Sequence, residues 1–419
     1  MSDSMSAAAE NKPVAIVLGG TNPHVELIRQ LRTKGYYVVL VDYLPDPPCA
    51  AYADRHIKES TLDADKILEI AQALKAELVI STCIDQANST CCYVAEKLGL
   101  PHPYDYQTSL NVTDKSLMKA IMAENGIPTS PFIVLRDISE LDESRIRFPA
   151  VVKPVDCNSS KGVYRADTME EILRYTVEDF QMSRSGKVII EGFNKGEEIQ
   201  VDCFANDRGA EVIMTRQKKS IRGESGMVLQ STGSVIPAPL SGSLDRQARE
   251  IADRIASAFG LRNTPFFYQA IVTSEGISVL EFAPRIGGGL SYYLLKELAG
   301  YDSVAAAIDS FQGRKVTPAY LPVNKCYSTC LLYANPGVFD HVEGFAELKE
   351  SGVIRDHFQL KSPGARIDGD MRSSNRVCAF VVEGDTPEDV RKKERIAYNR
   401  IRILDPNGQD IMNKSLIGE

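Results

Sequence analysis

The stretch that decides the fold is Val279-Leu-Glu-Phe-Ala-Pro-Arg-Ile-Gly-Gly-Gly289, in a chain of 419 residues. It begins as an apolar strand, which we expect to be central in a sheet, and Glu281 lies within that strand. A carboxylate in such a place needs a cation as its partner. Mg²⁺ suits it, because Mg²⁺ binds carboxylate oxygens together with substrate phosphates. A structural salt bridge between Glu281 and a neighbouring side chain is the alternative.

The second half of this stretch offers groups that bind anions. Arg285 carries a planar guanidinium that can pair with a carboxylate or a phosphate. Gly287, Gly288 and Gly289 lead into a helix expected from Ser291. Backbone N–H groups and the positive end of the helix dipole would then face the same place. A plain glycine-rich turn is the alternative.

An earlier apolar strand ends at Lys153, within Phe148-Pro-Ala-Val-Val-Lys-Pro-Val155. Lysine is rarely buried without a partner, so Lys153 either reaches solvent or meets an anion. The small, polar segment Asn158-Ser-Ser-Lys-Gly162 follows, with the composition of a loop that closes over phosphates or of a surface turn. One ammonium–phosphate pair at about 4 Å gains roughly 4 kcal/mol near a protein surface before desolvation, so two flanking lysines would matter.

Two glutamates flank the turn that follows. Glu191 ends an apolar strand in Ile189-Ile-Glu-Gly-Phe-Asn194, and Glu198 begins the next strand. Such a hinge leaves backbone groups for an adenine edge and a carboxylate for ribose hydroxyls. Exposed charges at strand ends are the alternative for both.

The first hundred residues alternate apolar strands with amphipathic helices, as in Val14–Leu18 and Tyr37–Val41. This alternation predicts a Rossmann-like, parallel, doubly wound sheet. Gly19-Gly20 lacks the full G-x-G-x-x-G pattern, so a tight turn is favoured over a dinucleotide site. A domain boundary is expected in the turn-rich segment Pro101–Ser109. The predicted divisions are a disordered tail (1–13), the Rossmann-like domain (14–108), a central α+β domain (109–320) with a lid subdomain (about 148–195), and a C-terminal α+β block (321–419).

Some segments carry weaker signals. Thr215 to Pro239 is interpreted as a loop whose Arg216, Lys218 and Arg222 meet anionic substrates or are simply solvated. Asp85, just beyond a strand end, is a substrate contact or a structural turn residue.

The composition narrows the class of protein. A net charge of −8 argues against nucleic acid or a membrane surface as partner. No apolar run approaches the roughly 20 residues that a membrane span needs. The nine cysteines are scattered and lack a histidine pair at ligand spacing, which indicates reduced thiols in a cytoplasmic enzyme.

The order of these segments resembles the ATP-grasp superfamily, from Gly19-Gly20 through the C-terminal block and most specifically between Lys115 and Gly289. Arg-Ile-Gly-Gly-Gly after the metal strand is most similar to the L-amino-acid ligases and related carboxylate–amine ligases. The first domain would then be the pre-ATP-grasp domain. The resemblance implies ATP and Mg²⁺ as cofactors and leaves a homodimer open.

The resemblance also implies roles for individual residues. The ATP-binding set is Lys115, Lys153, Ser160, Lys161, Gly162, Glu191, Gly192, Phe193, Asn194 and Glu198. The metal set is Glu281 with Gln269, the catalytic set is Arg285, Gly288 and Lys153, and the substrate set is Arg285, Gly287, Gly288 and Gly289. The chain departs from the family at Gln269, where a metal carboxylate is usual, and at Ala283, where many members have asparagine.

The implied activity is an ADP-forming ligation that activates a small carboxylic acid, such as an amino acid, as an acyl phosphate and transfers it to an amine. An ATP-dependent carboxylase or purine-biosynthesis ligase is one alternative, favoured by Glu-x-Ala-Pro-Arg. A catalytically decayed ATP-binding protein is the other, favoured by the two departures.

Overall fold

The computed structural model describes residues 11–157, 162–222, 228–368 and 375–416. Its first part is a parallel sheet with the elements β1 (Val14–Leu18), α1 (Pro23–Thr33), β2 (Tyr37–Val41), β3 (Arg55–Ile57), α2 (Ala64–Ala73), β4 (Leu78–Ile80) and α3 (Asp85–Leu98). The strand order is β3-β2-β1-β4. Strands β1 and β4 are buried throughout, as a parallel sheet covered on both faces requires. The expected doubly wound sheet is confirmed.

Two helices connect this sheet to the rest: α4 (Tyr106–Thr113) and α5 (Lys115–Glu124). Asp105 and Asp114 accept backbone N–H groups at the two helix starts and so cap them. The Asp114 cap places Lys115 in the first turn of α5. The last residues of Pro101–Ser109, the segment in which the sequence predicts a domain boundary, belong to α4, because the Asp105 cap supplies a start signal within the turn-rich sequence.

A four-stranded antiparallel sheet follows, the lid sheet, made of β5 (Phe132–Leu135), β6 (Ala150–Pro154), β7 (Tyr164–Ala166), α6 (Met169–Met182) and β8 (Val188–Gly192). The strand order is β5-β8-β6-β7. Helix α6 covers one face, where Ile172 packs with Val152 and Ile190. Strand β8 pairs with both β5 and β6, so β5 belongs to the lid sheet. It lies before the range of about 148–195 that the sequence indicates for the lid.

The remaining elements are β9 (Glu197–Asn206), β10 (Gly209–Arg222), β11 (Val228–Ile236), α7 (Gly242–Ala258), β12 (Thr264–Thr273), β13 (Gly276–Ala283), α8 (Ser291–Ala299), α9 (Ser303–Phe311), β14 (Cys326–Tyr333), β15 (Gly337–Val338), β16 (His341–Glu343), α10 (Phe345–Glu350), β17 (Asp356–Gln359), β18 (Arg366–Ile367), β19 (Arg376–Gly384), α11 (Pro387–Arg400) and β20 (Arg402–Leu404). Eight strands form one large sheet in the order β13-β12-β9-β10-β11-β14-β19-β17. The central and C-terminal parts of the chain therefore share one sheet.

Two expectations about this sheet are wrong. Strand β13, which carries Glu281, is an edge strand, although Val279 also receives a parallel bridge from Thr129. The segment Thr215 to Pro239 is mostly strand, since β10 runs to Arg222 and β11 begins at Val228. The segment is rich in polar residues, as loops are. In addition, register shifts along the β10–β11 pair interrupt the alternation of inward- and outward-facing residues that indicates a strand.

Helix α9 joins the N-terminal sheet to the large sheet. Its Val304, Ile308 and Phe311 pack in the same core as Ile16, although almost three hundred residues separate them. Ile286 belongs to that core as well, so the end of β13 is fixed against the N-terminal domain. Among the helices in the described ranges, none has both the length and the apolar character needed to cross a membrane.

Candidate functional site

A buried carboxylate connects two lysines between the lid sheet and the large sheet. Glu191, at the end of β8, lies 2.7 Å from the Nζ of Lys153 on β6 and 3.0 Å from the Nζ of Lys119 on α5. The Glu191 side chain is 3% exposed and that of Lys119 is completely buried. Burial opposes ionisation of Glu191, but the two ammonium groups together hold its pKa below the ordinary value. Glu191 is thus an internal anchor for two lysines rather than a free strand-end charge.

Lys119 is missing from the residues that the sequence singles out. It donates to Thr129 Oγ1 at 2.7 Å in addition to its ion pair. Burial lowers its pKa, while Glu191 acts in the opposite direction. Its position four residues after Lys115 could have identified it from the sequence, because this spacing places the two lysines on one face of α5.

The Lys115 side chain contacts residues of two other segments, Cys157 and Glu281. Its Nζ donates to the carbonyl of Cys157 at 2.8 Å and lies 3.7 Å from Glu281 Oε2. Its backbone N–H donates to the carbonyl of Val155, just after β6. The predicted lysines Lys115 and Lys153 are therefore held in one region together with Glu281.

Gln269 lies directly opposite Glu281 in the β12–β13 pairing. Its amide satisfies both neighbours when the nitrogen donates to Glu281 Oε1 at 3.1 Å and the oxygen accepts from Lys218 Nζ at 2.8 Å. Lys218 also donates to Glu198, the residue expected at the ribose. Within the described ranges no group of three His, Cys, Asp or Glu side chains is arranged to hold a metal. One carboxylate with substrate phosphates and water suffices for Mg²⁺, so Glu281 fits one such ion.

The hinge residues Gly192, Phe193 and Asn194 lie beside the lysine cluster. The N–H of Gly192 donates to Pro131 O and that of Phe193 donates to Pro149 O. These two N–H groups are engaged, so an adenine would meet other backbone atoms of the hinge. The Asn194 side chain donates to two serine hydroxyls, which fixes the end of the turn.

Arg285 is bound to the N-terminal domain. Its Nε and Nη2 each donate at 2.6 Å to a different oxygen of Asp85, at the start of α3. The guanidinium also lies over the ring of Phe267, 5.2 Å from its centroid. The predicted catalytic arginine and the weakly indicated Asp85 therefore form a bidentate pair across the domain junction.

The glycine turn after Arg285 is packed at one position and open at another. A Cβ on Gly287 would lie 2.5 Å from Ser291 Oγ and 2.7 Å from Gln200 Nε2, whereas nothing lies within 4 Å of one on Gly288. Ser291 Oγ donates to Gly288 O and accepts from Arg216. Arg216, expected in a loop, is instead buried on β10. It braces the turn, because its guanidinium is also paired with Asp202.

The phosphate loop is described only in part, and the predicted residues Ser160 and Lys161 lie outside the described residues. Gly162 has a φ of 69°, and a Cβ there would lie 2.6 Å from Asp179 Oδ1. Asp179, on α6, is completely buried, and among the described residues neither of its carboxyl oxygens has a hydrogen-bond partner. Only glycine fits between this carboxyl group and the start of β7.

Asp179 should make stability depend on pH. Burial, with a smaller contribution from Glu178, raises its pKa to about 8, against about 3.9 in an unfolded chain. The folded state therefore keeps a proton that the unfolded state has lost, and stability falls as pH rises from about 4 to 8. The free energy of unfolding of Asp179→Asn, relative to that of the wild type, should increase by on the order of 2 kcal/mol from about pH 4 to about pH 8. Urea unfolding at the two pH values measures it. A stability difference between Asp179→Asn and the wild type that is the same at both pH values would contradict the raised pKa of Asp179.

A second polar cluster lies at the carboxyl ends of β1 and β4, where the strand order changes direction. Such switch points form ligand crevices in open α/β sheets. Thr21 Oγ1 lies 3.3 Å from Cys83 Sγ, and the buried His24 has its Nδ1 3.8 Å from the same sulfur. Burial opposes ionisation of Cys83, but His24, Thr21 and the charge of Arg285 lower its pKa to about 7.

Cys83 should react with electrophiles at neutral pH. Its alkylation rate by iodoacetamide is expected to rise through about pH 7, and His24→Ala should move that midpoint upward. Cys157 is the internal control, because it is also partly exposed but burial raises its pKa. Peptide mass spectrometry should show Cys83 labelled about tenfold faster or more at pH 7. A Cys83 midpoint no lower than that of Cys157 would refute the role of His24.

Comparisons with known proteins find similar domains in two parts of the chain. Residues 113–289 match the model of the phosphoribosylglycinamide synthetase ATP-grasp (A) domain, and residues 330–404 match L-amino acid ligase C-terminal domain 2. Residues 113–289 are an ATP-grasp domain. Formate-dependent phosphoribosylglycinamide formyltransferase of Burkholderia pseudomallei (strain 668) is 29% identical over 285 residues, which cover 64% of this chain and 68% of that protein.

Solved structures show the same ATP-grasp fold over nearly the whole chain. L-amino acid ligase from Bacillus licheniformis superposes with a TM-score of 0.77 at 19% identity, covering 95% of this chain and 99% of that one. The biotin carboxylase domain of Hydrogenobacter thermophilus 2-oxoglutarate carboxylase, solved with MgADP and bicarbonate, gives 0.74 at 16% identity, covering 93% and 90%. The expected fold and family are confirmed, and ATP with Mg²⁺ are the cofactors of this family.

Proposed function

We propose that this ATP-grasp ligase phosphorylates a small carboxylic acid with ATP and transfers the acyl group from the resulting acyl phosphate to an amine. One observation carries the proposal: Lys115 lies beside Glu281, Lys153 lies beside Glu191, and the buried Lys119 is near enough to both groups to feel the charges of Lys153 and Glu281. Cationic groups gathered in this way suit a triphosphate, because phosphoryl transfer depends on positioning and charge neutralisation.

Each residue has a defined task in this mechanism. Lys115 and Lys153 bind phosphate oxygens, and Glu191 keeps Lys153 in place while leaving ammonium hydrogens free to donate. Glu281 would hold Mg²⁺, which would supply charge neutralisation at the phosphates. Arg285 and the N–H of Gly288 stabilise the negative charge that develops when the amine attacks the acyl carbon. Gly192, Phe193, Asn194 and Glu198 belong to the nucleoside side of the site.

The match of residues 330–404 to an L-amino acid ligase domain supports an amino acid as the carboxylic acid. A purine-type ligation is the second candidate. It is favoured by the 29% identity to a formate-dependent phosphoribosylglycinamide formyltransferase over 285 residues. The two candidates share the ATP half of the reaction and differ in the acceptor.

Phosphate release from MgATP separates them. We would measure it with pairs of L-amino acids, with formate plus phosphoribosylglycinamide, and with bicarbonate plus aminoimidazole ribonucleotide. Release that requires two amino acids supports the first candidate, and release only with a ribonucleotide supports the second. Binding of ATP without turnover on any pair would contradict both.

We further propose that the enzyme works in the cytoplasm on small molecules. All nine cysteines are free thiols, which fits a reducing compartment. ATP is also available there as substrate. Thiol titration of the protein isolated without reductant should find nine free thiols, and a disulfide would contradict this location.

A further inference from the structure

Lys218 occupies the centre of a chain of polar contacts along the floor of the ATP site. From β10 its Nζ reaches Glu198 on β9 and the amide oxygen of Gln269 on β12. The amide nitrogen of Gln269 then meets Glu281, and Glu281 meets Lys115. An ammonium group thus lies between the residue expected at the ribose and the residue expected at the metal.

Both oxygens of Glu281 face a partner in this chain. Oε1 faces the Gln269 amide at 3.1 Å, and Oε2 faces Lys115 at 3.7 Å. Gln269 is neutral and brings no charge toward a cation. Two magnesium ions on one triphosphate would repel each other and require more anionic ligands than Glu281 offers. Within the described residues, no group of three or more His, Cys, Asp or Glu side chains is arranged around Glu281 to hold a second ion.

The charges around the site favour binding of a phosphate group, not of a second divalent ion, next to Lys218. Lys115, Lys119, Lys153 and Lys218 contribute four positive charges, and Glu191, Glu198 and Glu281 contribute three negative ones. The Lys218 side chain is only 21% exposed, so its charge is weakly screened by solvent. Glu198 compensates part of the Lys218 charge, but the cluster as a whole keeps one net positive charge. A further divalent ion here would therefore be repelled, whereas a phosphate oxygen would be attracted.

We propose that the Lys218 ammonium takes the place of a second divalent cation, so that the triphosphate is bound by one Mg²⁺ at Glu281 and by Lys218. This rests on the proposed ATP-dependent function. It makes Gln269 a positioning residue that sets the distance between Lys218 and Glu281. A lysine that merely ties β10 to β12 would affect stability but neither the number of metal ions nor the binding of a triphosphate.

The test counts bound metal ions. Mn²⁺ is titrated into the protein with a saturating non-hydrolysable ATP analogue, and electron paramagnetic resonance measures free and bound Mn²⁺. We expect one Mn²⁺ per wild-type chain. Two ions per wild-type chain would overturn the proposal without need of any variant. Failure of the wild type to bind the analogue at all would instead refute the proposed function.

Variants test the role of Lys218 itself. Lys218→Met should weaken binding of the ATP analogue at least tenfold, and Lys218→Arg should restore part of it. The control is Lys315→Met, which removes an equal charge from a side chain that is 78% exposed. The double variant Lys218→Met/Gln269→Glu should bind two Mn²⁺. Unchanged analogue affinity in Lys218→Met, or a single Mn²⁺ in a folded double variant, would overturn the proposal.

Discussion

Glu281→Gln should reduce kcat/KM for ATP by about 10³-fold, which is the effect of removing a principal electrostatic group from a transition state. Glu281 is the residue that fits Mg²⁺, and an amide binds Mg²⁺ far less well than a carboxylate. The free energy of unfolding should change by about 0.5 kcal/mol or less, since the side chain is 41% exposed. Phosphate release and urea unfolding provide the two measurements.

A matched control lies on the same hairpin. Glu275, in the turn between β12 and β13, is exposed, and Glu275→Gln removes the same charge without approaching the lysines. Its kcat/KM should stay within about twofold of the wild type, as for surface changes in general. If Glu281→Gln keeps more than about a tenth of the wild-type kcat/KM, the metal is not at Glu281.

Glu191→Gln should lower the free energy of unfolding by about 3–5 kcal/mol, because it leaves two buried ammonium groups without an anion. Lys119 is completely buried and Lys153 is nearly so, which makes hydration a poor substitute for the carboxylate. Turnover should fall as well, since Lys153 loses the group that positions it. Urea unfolding at pH 7 measures the first effect, and phosphate release measures the second.

The stabilisation by Glu191 should decrease at acid pH. The folded-state pKa of Glu191 lies below its ordinary value, so its stabilisation is fully present above about pH 4 and is lost as pH falls through the folded pKa. The gap between wild type and Glu191→Gln should therefore close under acid. The exposed neighbour Glu197 is the control, and Glu197→Gln should change stability by less than about 0.5 kcal/mol. A loss in Glu191→Gln equal to that of the control would contradict the buried ion pair.

The sequence predicts the N-terminal sheet well because its signals are local. Strands β1, β2 and β4 are short apolar runs, and both faces of the sheet are covered, so these runs are uninterrupted. Strand β3, which reads Arg-His-Ile, lacks this pattern and was not predicted. The segment Thr215 to Pro239, which holds the end of β10 and all of β11, was interpreted as a loop because the partners of its charged residues lie far away in the sequence. Arg216 meets Asp202 on β9, and Lys219 meets Glu394 on α11. Such long-range pairs satisfy charges in ways that no local window reveals.

In the candidate site, too, the sequence identifies the residues that lie in local motifs and misses those that depend on long-range contacts. The order of motifs brings out Lys115, Lys153 and Glu281, and the structure gathers all three. Lys119 is not among the residues that the sequence singles out. Lys218 is singled out only as a loop residue that meets anionic substrates or is solvated. The importance of both depends on carboxylates contributed by other strands. Arg285 was found, but its bidentate contact with Asp85 spans 200 positions in sequence and could not be predicted.

Transfer of ¹⁸O tests the central claim most directly. A carboxylic acid labelled with ¹⁸O in its carboxylate is incubated with the enzyme, MgATP and an amine, and the released phosphate is examined by mass spectrometry. Attack of the carboxylate on the γ-phosphate followed by ligation leaves one ¹⁸O in phosphate, alongside ADP. Unlabelled phosphate, or AMP with pyrophosphate, would contradict an acyl-phosphate ligase.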